Sequence, residues 1–333
     1  WALLSALWAL DARDALSTFA GTAIMVIGGV AFAAAVYLTP NGDLRRLALA
    51  LGLGLGVAAV AALDYGHGHA VHRLLWALQG VERRWTSAGI NTGLTLLVLA
   101  AFPGAVALWR CGGRAPAIAA LLAVAVVVLP VAAMTPRLAL LAGIAVFALA
   151  LRLGRIVVMA TVAAMAASIL LAPLLVATLL RSETLEAWLA DRSLSGLHRL
   201  YIWQFVVRRI GDKPFLGWGM DSARSLPGGG DLIADKFPTL PLHPHNAALQ
   251  VWVELGAVGA ILMAIVAVVI GRAIWRLADP VARAGAAAVY AAAYVVLSAS
   301  FGVWQNWWLA ALGVVGALTI AACHWPARLG SAP

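Results

Sequence analysis

The chain has 333 residues, 63% of them hydrophobic and only 11% charged, with a net charge of +9; an ordinary soluble domain carries about 25% charged residues. A soluble globular enzyme is excluded, and an integral membrane protein remains. The positive balance does not read as a nucleic-acid surface, because the arginines stand between hydrophobic runs and are not gathered on one face.

The first residue is Trp1 and an apolar stretch is already under way, so the chain is expected to be a fragment with N-terminal spans missing. About 20 apolar residues cross a hydrocarbon core roughly 30 Å thick. Runs of that kind predict about nine spans, at 17–38, 47–63, 93–109, 116–134, 138–151, 156–180, 247–271, 284–299 and 307–322. The run 138–151 amounts to only about 21 Å, so its flanking arginines must snorkel or the helix must extend past them. The expected fold is all-α and polytopic. It divides into N-terminal transmembrane helices (1–180), a loop segment with short amphipathic helices (181–246) and C-terminal transmembrane helices (247–333).

Charge in the short loops orients the spans. Arg45 and Arg46, Arg110 and Arg114, Arg152 and Arg155, and Arg272, Arg276 and Arg283 fall in alternate loops, and Arg328 follows the last span on the same side. Positive loops face the cytoplasm, so the long segments 64–92 and 181–246 face the other side, which in a bacterium is the periplasmic side of the inner membrane. Cys111 and Cys323 then sit at cytoplasmic helix ends and are expected to be free thiols.

Several motifs dissolve on inspection. LGLGLG at 51–56 lies inside an apolar run with no strand before it, so Gly52 and Gly56 read as helix-packing residues and not as a nucleotide loop. Asp64, His67, His69 and His72 lack the cysteine or second carboxylate that would make a convincing metal site, and no metal is expected. No Gly-x-Ser-x-Gly elbow is present.

The segment from Arg181 to His245 is the most polar, with eight Lys or Arg against seven Asp or Glu, so it is not a polybasic lipid clamp. It predicts one short helix over Ser182–Ala190, with Ser182 as N-cap, and a second over Ser195–Ile210, ended by Gly211 and Pro214. Arg199, Trp203 and Ile210 share a face of the second helix, whose Tyr201, Trp203 and Phe205 would suit a membrane surface. Arg137 stands between two spans on the exterior side, where topology does not need it. A guanidinium stays charged and forks onto phosphate oxygens, which makes Arg137 a functional candidate. His245 and Asn246 stand where the apolar run to Gly271 begins. An imidazole titrating near pH 6.5 can accept a proton at neutral pH. Asn246 serves equally well as a sugar ligand or as a helix cap.

These residues carry a resemblance. In HNAALQVWVELGAVG, His245 and Asn246 are followed by nine residues, Gly256, two residues and Gly259, a pattern similar to the signature of the O-antigen ligase and polymerase superfamily. HRLYIWQFVVRRIGDKPFLGWG resembles the family segment before that signature, through Arg199, Trp203, Pro214, Gly217 and Gly219. TPRLALL resembles the family's Arg-bearing span start through Arg137, with Thr135, Pro136 and Leu138 departing from it. LLSALWALDARDAL and Gly89-Ile90-Asn91 resemble earlier landmarks more loosely.

The resemblance implies a polytopic glycosyltransferase of the GT-C type. Such an enzyme is inverting and metal-independent, needs no cofactor, and takes a glycan from an undecaprenyl-diphosphate donor on the periplasmic face of the bacterial cytoplasmic membrane. The acceptor would be lipid A-core in a ligase and another glycan in a polymerase. His245, Arg137 and Arg199 would be catalytic, and Asn246, Trp203 and Asn91 would bind substrate. A rival from another class is a transporter or flippase of the same lipid-linked glycan, which predicts paired broken helices and internal repeats; neither is visible in the sequence.

Overall fold

The computed structural model describes residues 1–39, 56, 60, 63–64, 70–79, 87–131, 133–233 and 237–324. Among them are thirteen α-helices, a short 3-10 turn and one two-stranded hairpin. The helices are α1 (Ala2–Ser5), α2 (Ala12–Leu38), α3 (Ala70–Gln79), α4 (Ser87–Gly112), α5 (Arg114–Val128), α6 (Met134–Leu153), α7 (Arg155–Leu170), α8 (Ala172–Leu179), α9 (Glu183–Arg192), α10 (Leu194–Asp212), α11 (Ala247–Arg276), α12 (Pro280–Ala299) and α13 (Asn306–His324). β1 (Leu232–Ile233) pairs antiparallel with β2 (Phe237–Pro238). The all-α polytopic expectation holds: six described helices are long and apolar enough to cross a membrane, and up to seven if α7 and α8 form one bent span.

Individual spans depart from the expected ones for identifiable reasons. The run 47–63 lies largely outside the described residues, as do His67 and His69. The run 116–134 yields only the 15-residue α5, because Pro130, just past the helix end, has no N–H to continue the ladder. The short run 138–151 becomes the 20-residue α6, about 30 Å long, with Arg137 and Arg152 inside it. The run 156–180 breaks at Leu171, with α7 and α8 bent by 77°. Pro173 sits in the first turn of α8, where its ring is tolerated.

The chain forms two compact units, interleaved in sequence. The first comprises residues 1–27, 160–272 and 297–310; the second comprises 28–159, 273–296 and 311–333. In the first, α10 packs on α8 and α9, and Ala15, Met220, Val251 and Leu255 form a core cluster flanked by Trp1, Phe19 and Trp304. In the second, α4 packs on α5 and α6, and small residues set the close approaches. A methyl on Gly143 would fall 2.2 Å from the Phe102 ring, and one on Gly285 would fall 2.1 Å from Val106. Arg110, buried, donates to the last carbonyls of α13, Ala322 (3.0 Å) and Cys323 (2.8 Å), and to Asp279 (2.9 Å). Both cysteines are free thiols, as expected.

Candidate active site

The site is built on α10, the loop 237–246, the start of α11 and the turn at 300–305, all within the first unit. Ser193 starts α10 by accepting from Gly196 N at 3.1 Å, and α9 starts as expected, with Ser182 accepting from Leu185 N at 3.2 Å. Leu200, Ile202, Phe205, Val206 and Ile210 are buried, so the apolar face of α10 packs into protein. Phe205 is therefore not the membrane-surface residue the sequence suggested. Tyr201 donates to Glu186 (2.8 Å), and Trp203 donates to Pro244 O (2.9 Å). His198 Nε2 donates to Pro238 O at 3.0 Å, so Trp203 and His198 tie the loop 237–244 to α10, while Tyr201 ties α10 to α9.

His245 follows with φ of +54°, a left-handed backbone that costs a non-glycine residue about 1–2 kcal/mol. Three contacts hold it there. Its backbone N–H donates to His243 Nδ1 at 3.2 Å, its Nδ1 lies 2.6 Å from Ser300 O, and Asn246 begins α11. The Asn246 Oδ1 accepts from Leu249 N at 3.1 Å, so its oxygen serves as the helix cap.

These bonds fix the tautomers. A carbonyl only accepts, so His245 Nδ1 carries the proton and Nε2 presents a lone pair. His243 Nδ1 accepts, so its proton is on Nε2. The Gln305 amide lies 3.5 Å from that nitrogen; turned with its oxygen toward the ring, it accepts the proton and also partners an oxygen otherwise buried without one. Burial, with His245, Arg224 and Arg199 nearby, pushes His243 down to about 3. Burial, Arg199 and His198 also hold His245 below the usual 6.5, against the Ser300 bond, which raises it. Both rings are neutral at neutral pH.

Arg199 is half-buried, and burial lowers its pKa. Among the described residues it has no hydrogen-bond or ion-pair partner. Arg224 is ion-paired with Asp221 at 2.9 Å. The site therefore gathers Arg199, Arg224 and three neutral-capable imidazoles, an arrangement suited to an anion and a proton transfer. Among the described residues no group of three His, Cys, Asp or Glu could hold a metal ion.

Of the residues singled out in the sequence, His245, Asn246, Arg199 and Trp203 are brought together here. Arg137 and Asn91 belong to the second unit. Arg137 lies in the first turn of α6 with its Nε buried and unbonded among the described residues. In α4, the Asn91 carbonyl accepts from Thr95 Oγ1 at 2.7 Å.

Glu254 went unnoticed in the sequence. It is fully buried (0% exposed) and accepts from Asp221 N (2.9 Å), Ala223 N (3.4 Å), Gln250 Nε2 (3.1 Å) and the Trp304 indole. Gln250 Oε1 in turn accepts from Val303 N at 2.9 Å. One side chain thus staples the turn carrying Arg224 and the turn carrying Ser300 and Gln305 onto α11. A carboxylate inside an apolar run was the available signal, since such a group persists only with partners.

Two residues further on, α11 breaks at Gly256, with φ of +65° and ψ of −164°. The segment Pro214–Gly219 crosses at the break, and Gly217 and Gly219 also have positive φ. A methyl on Gly256 would fall 2.2 Å from Phe215 O, and one on Gly217 would fall 2.4 Å from Glu254 O. What the position requires is backbone conformation and a backbone crossing.

The sequence profile described as "O-Antigen ligase" matches residues 99–264, from α4 through the break in α11. A provisionally named polysaccharide ligase of Rickettsia conorii is 34% identical over 144 residues, which is 42% of this chain and 35% of the relative. A similarly named protein of Rickettsia felis is 34% identical over 128 residues, 37% of this chain and 31% of the relative. The aligned parts thus span about a third of the length of these curated relatives.

Proposed function

The chain belongs to the O-antigen ligase superfamily, and from that premise we propose that it is a membrane glycosyltransferase moving a glycan from an undecaprenyl-diphosphate donor to an acceptor hydroxyl. The acceptor is lipid A-core, as in an O-antigen ligase, and the site faces the periplasm. The observation that carries this reading is the state of His245: a neutral ring whose Nδ1–H is held by Ser300 O, leaving Nε2 to receive a proton in the field of Arg199.

In the reaction, the acceptor hydroxyl gives its proton to His245 Nε2 as its oxygen bonds to the anomeric carbon from the face opposite the diphosphate. The bond from that carbon to the diphosphate oxygen breaks, inverting the centre. The leaving diphosphate takes the electron pair, and Arg199 binds its developing charge. The imidazolium then releases its proton to water. A positioned base contributes about 10²–10⁴-fold, and guanidinium groups do the electrostatic work without a metal.

The transporter reading gains two interrupted spans that the sequence did not suggest. At Gly256, however, the backbone groups freed by the break are taken by Pro214–Gly219 of the same chain, whereas a carrier leaves its half-helix ends for substrate.

The test is transfer in liposomes by the full-length protein, supplied with undecaprenyl-diphosphate glycan and lipid A-core. His245→Ala should lose about 10²–10⁴-fold in rate while the protein still folds, with a thermal midpoint lowered by loss of the bond to Ser300 O, and His245→Gln should not restore the rate. Chelator should leave the wild-type rate unchanged. A near-wild-type rate for His245→Ala removes the base. Product that grows only by glycan-to-glycan transfer makes the enzyme a polymerase.

A further inference from the structure

We infer that the segment Lys213–Gly219 is a re-entrant element lying in the outer leaflet of the bilayer, with Phe215 and Leu216 against lipid acyl chains. Nothing in the reaction proposed above requires this, and it rests on separate observations.

The first is the backbone. A break in a spanning helix frees polar groups that lipid cannot satisfy, and irregular backbone at membrane depth persists only where protein satisfies it. Here the carbonyls of Val253 and Glu254 accept from Trp218 N (2.9 Å) and Gly219 N (2.8 Å), and that of Leu255 accepts from the Trp1 indole (3.0 Å). On the far side of Gly256, Ala257 N donates to Pro214 O at 2.9 Å and Val258 N to Phe215 O at 3.5 Å. Loop and helix satisfy one another without water. Such pairing is what lets irregular backbone lie at membrane depth.

The second is depth. Beyond the break, α11 runs on to Arg272, which the charge pattern places at the opposite interface. The 16 residues from Gly256 to Arg272 cover about 24 Å of a core roughly 30 Å thick, so Gly256 falls about 6 Å inside the hydrocarbon edge. Phe215, whose carbonyl abuts Gly256, lies at that depth.

The third is the surface at that level. Phe215 is 71% exposed and Leu216 50%. With Trp8, Lys213, Pro214 and Gly217, these two line an open cleft of about 280 Å³. The Lys213 ammonium lies 4.2 Å over the Trp218 ring, a cation–π contact that gives the charge at the edge of the cleft an aromatic partner. Lipid is the occupant these features favour, because the exposed face of α11 itself continues below the break with Ile261, Leu262, Ile265 and Val266.

The experiment places a bimane label at Phe215→Cys in the full-length protein, with Cys111 and Cys323 replaced by Ser, in phosphatidylcholine liposomes. Spin labels at acyl carbon 5 or 12 and aqueous iodide serve as quenchers. A label at the exposed Ser195 of α10 is the control. The expected result is at least twofold stronger quenching by the carbon-5 label than by iodide at position 215, and the reverse at 195. Leu216→Cys repeats the measurement should Phe215→Cys express poorly. Iodide quenching at 215 equal to that at 195 would make the loop aqueous. Protection from both lipid and iodide would mean that protein, either a further segment or a second copy, covers it. Either result overturns the inference.

Discussion

Replacing Glu254 with Leu asks whether the buried carboxylate holds the site together. The change removes the acceptor of Asp221 N, Ala223 N, Gln250 Nε2 and the Trp304 indole. Three of these bonds are close, and a buried donor left unsatisfied costs about 1–3 kcal/mol, so the loss is about 3–9 kcal/mol. Leu recovers part of it, because burying its side chain contributes about 1.5–3 kcal/mol and no carboxyl group need be dehydrated. A net destabilisation of about 4 kcal/mol is expected, read as a lowered thermal midpoint in detergent by tryptophan fluorescence. Hydrogen exchange should localise it: the amides of Asp221, Ala223 and Val303 should exchange faster, while helices of the second unit stay protected. Glu254→Gln, which keeps one acceptor oxygen, should fall between the two. Buried polar groups are sometimes replaced by apolar ones with a gain in stability. If Glu254→Leu unfolds at or above the wild-type midpoint with unchanged exchange at 221 and 303, apolar packing positions the two turns and the carboxylate does not.

His243, pushed down to about 3, binds its proton in the unfolded chain near pH 6.5 but not in the folded one. Stability is therefore lost as pH falls from 6.5 toward 3, by at most about 1.4 kcal/mol per unit. His243→Asn, which keeps an acceptor for His245 N, should flatten that slope in acid-unfolding curves, and an unchanged slope would mean that other groups carry it. Gly256→Ala combines a left-handed backbone, about 1–2 kcal/mol, with a methyl 2.2 Å from Phe215 O. It should lower the thermal midpoint more than Gly211→Ala, whose added methyl meets nothing within 4 Å.

What was legible in the sequence depended on whether the cause was local. Apolar runs and caps located most spans, and Ser182 at the start of α9 was readable because a cap needs only its own next turn. Pro130 and Pro173 carried equally local signals, and they account for the short α5 and the bent α7–α8 pair. His245 and Asn246 stood out by motif and by polarity at the edge of an apolar run. The partner that fixes the tautomer of His245 did not, because Ser300 contributes a backbone carbonyl 55 residues away and any residue has one. Glu254 was visible as a charge among apolar neighbours, but its purpose depends on Asp221 and Trp304, which only the fold brings to it.

The spacing of the signature follows from the same geometry. His245 stands just before α11 starts, and Gly256 is where the loop 214–219 crosses it. The helical stretch between them is a ruler that fixes both the height and the rotation of the imidazole relative to the crossing. Gly217 is required because its α-carbon abuts the Glu254 carbonyl, Gly219 because its α-carbon abuts Ala9, and Gly256 because the helix must open there to offer its carbonyls to the loop. One residue more or fewer between His245 and Gly256 would turn the imidazole by about 100° and move it by about 1.5 Å. That rotation would carry it away from Ser300 O and the face of Arg199, even with every side chain of the motif intact. The glycines in the signature need touch no substrate to matter, since they set the register from which the base is presented.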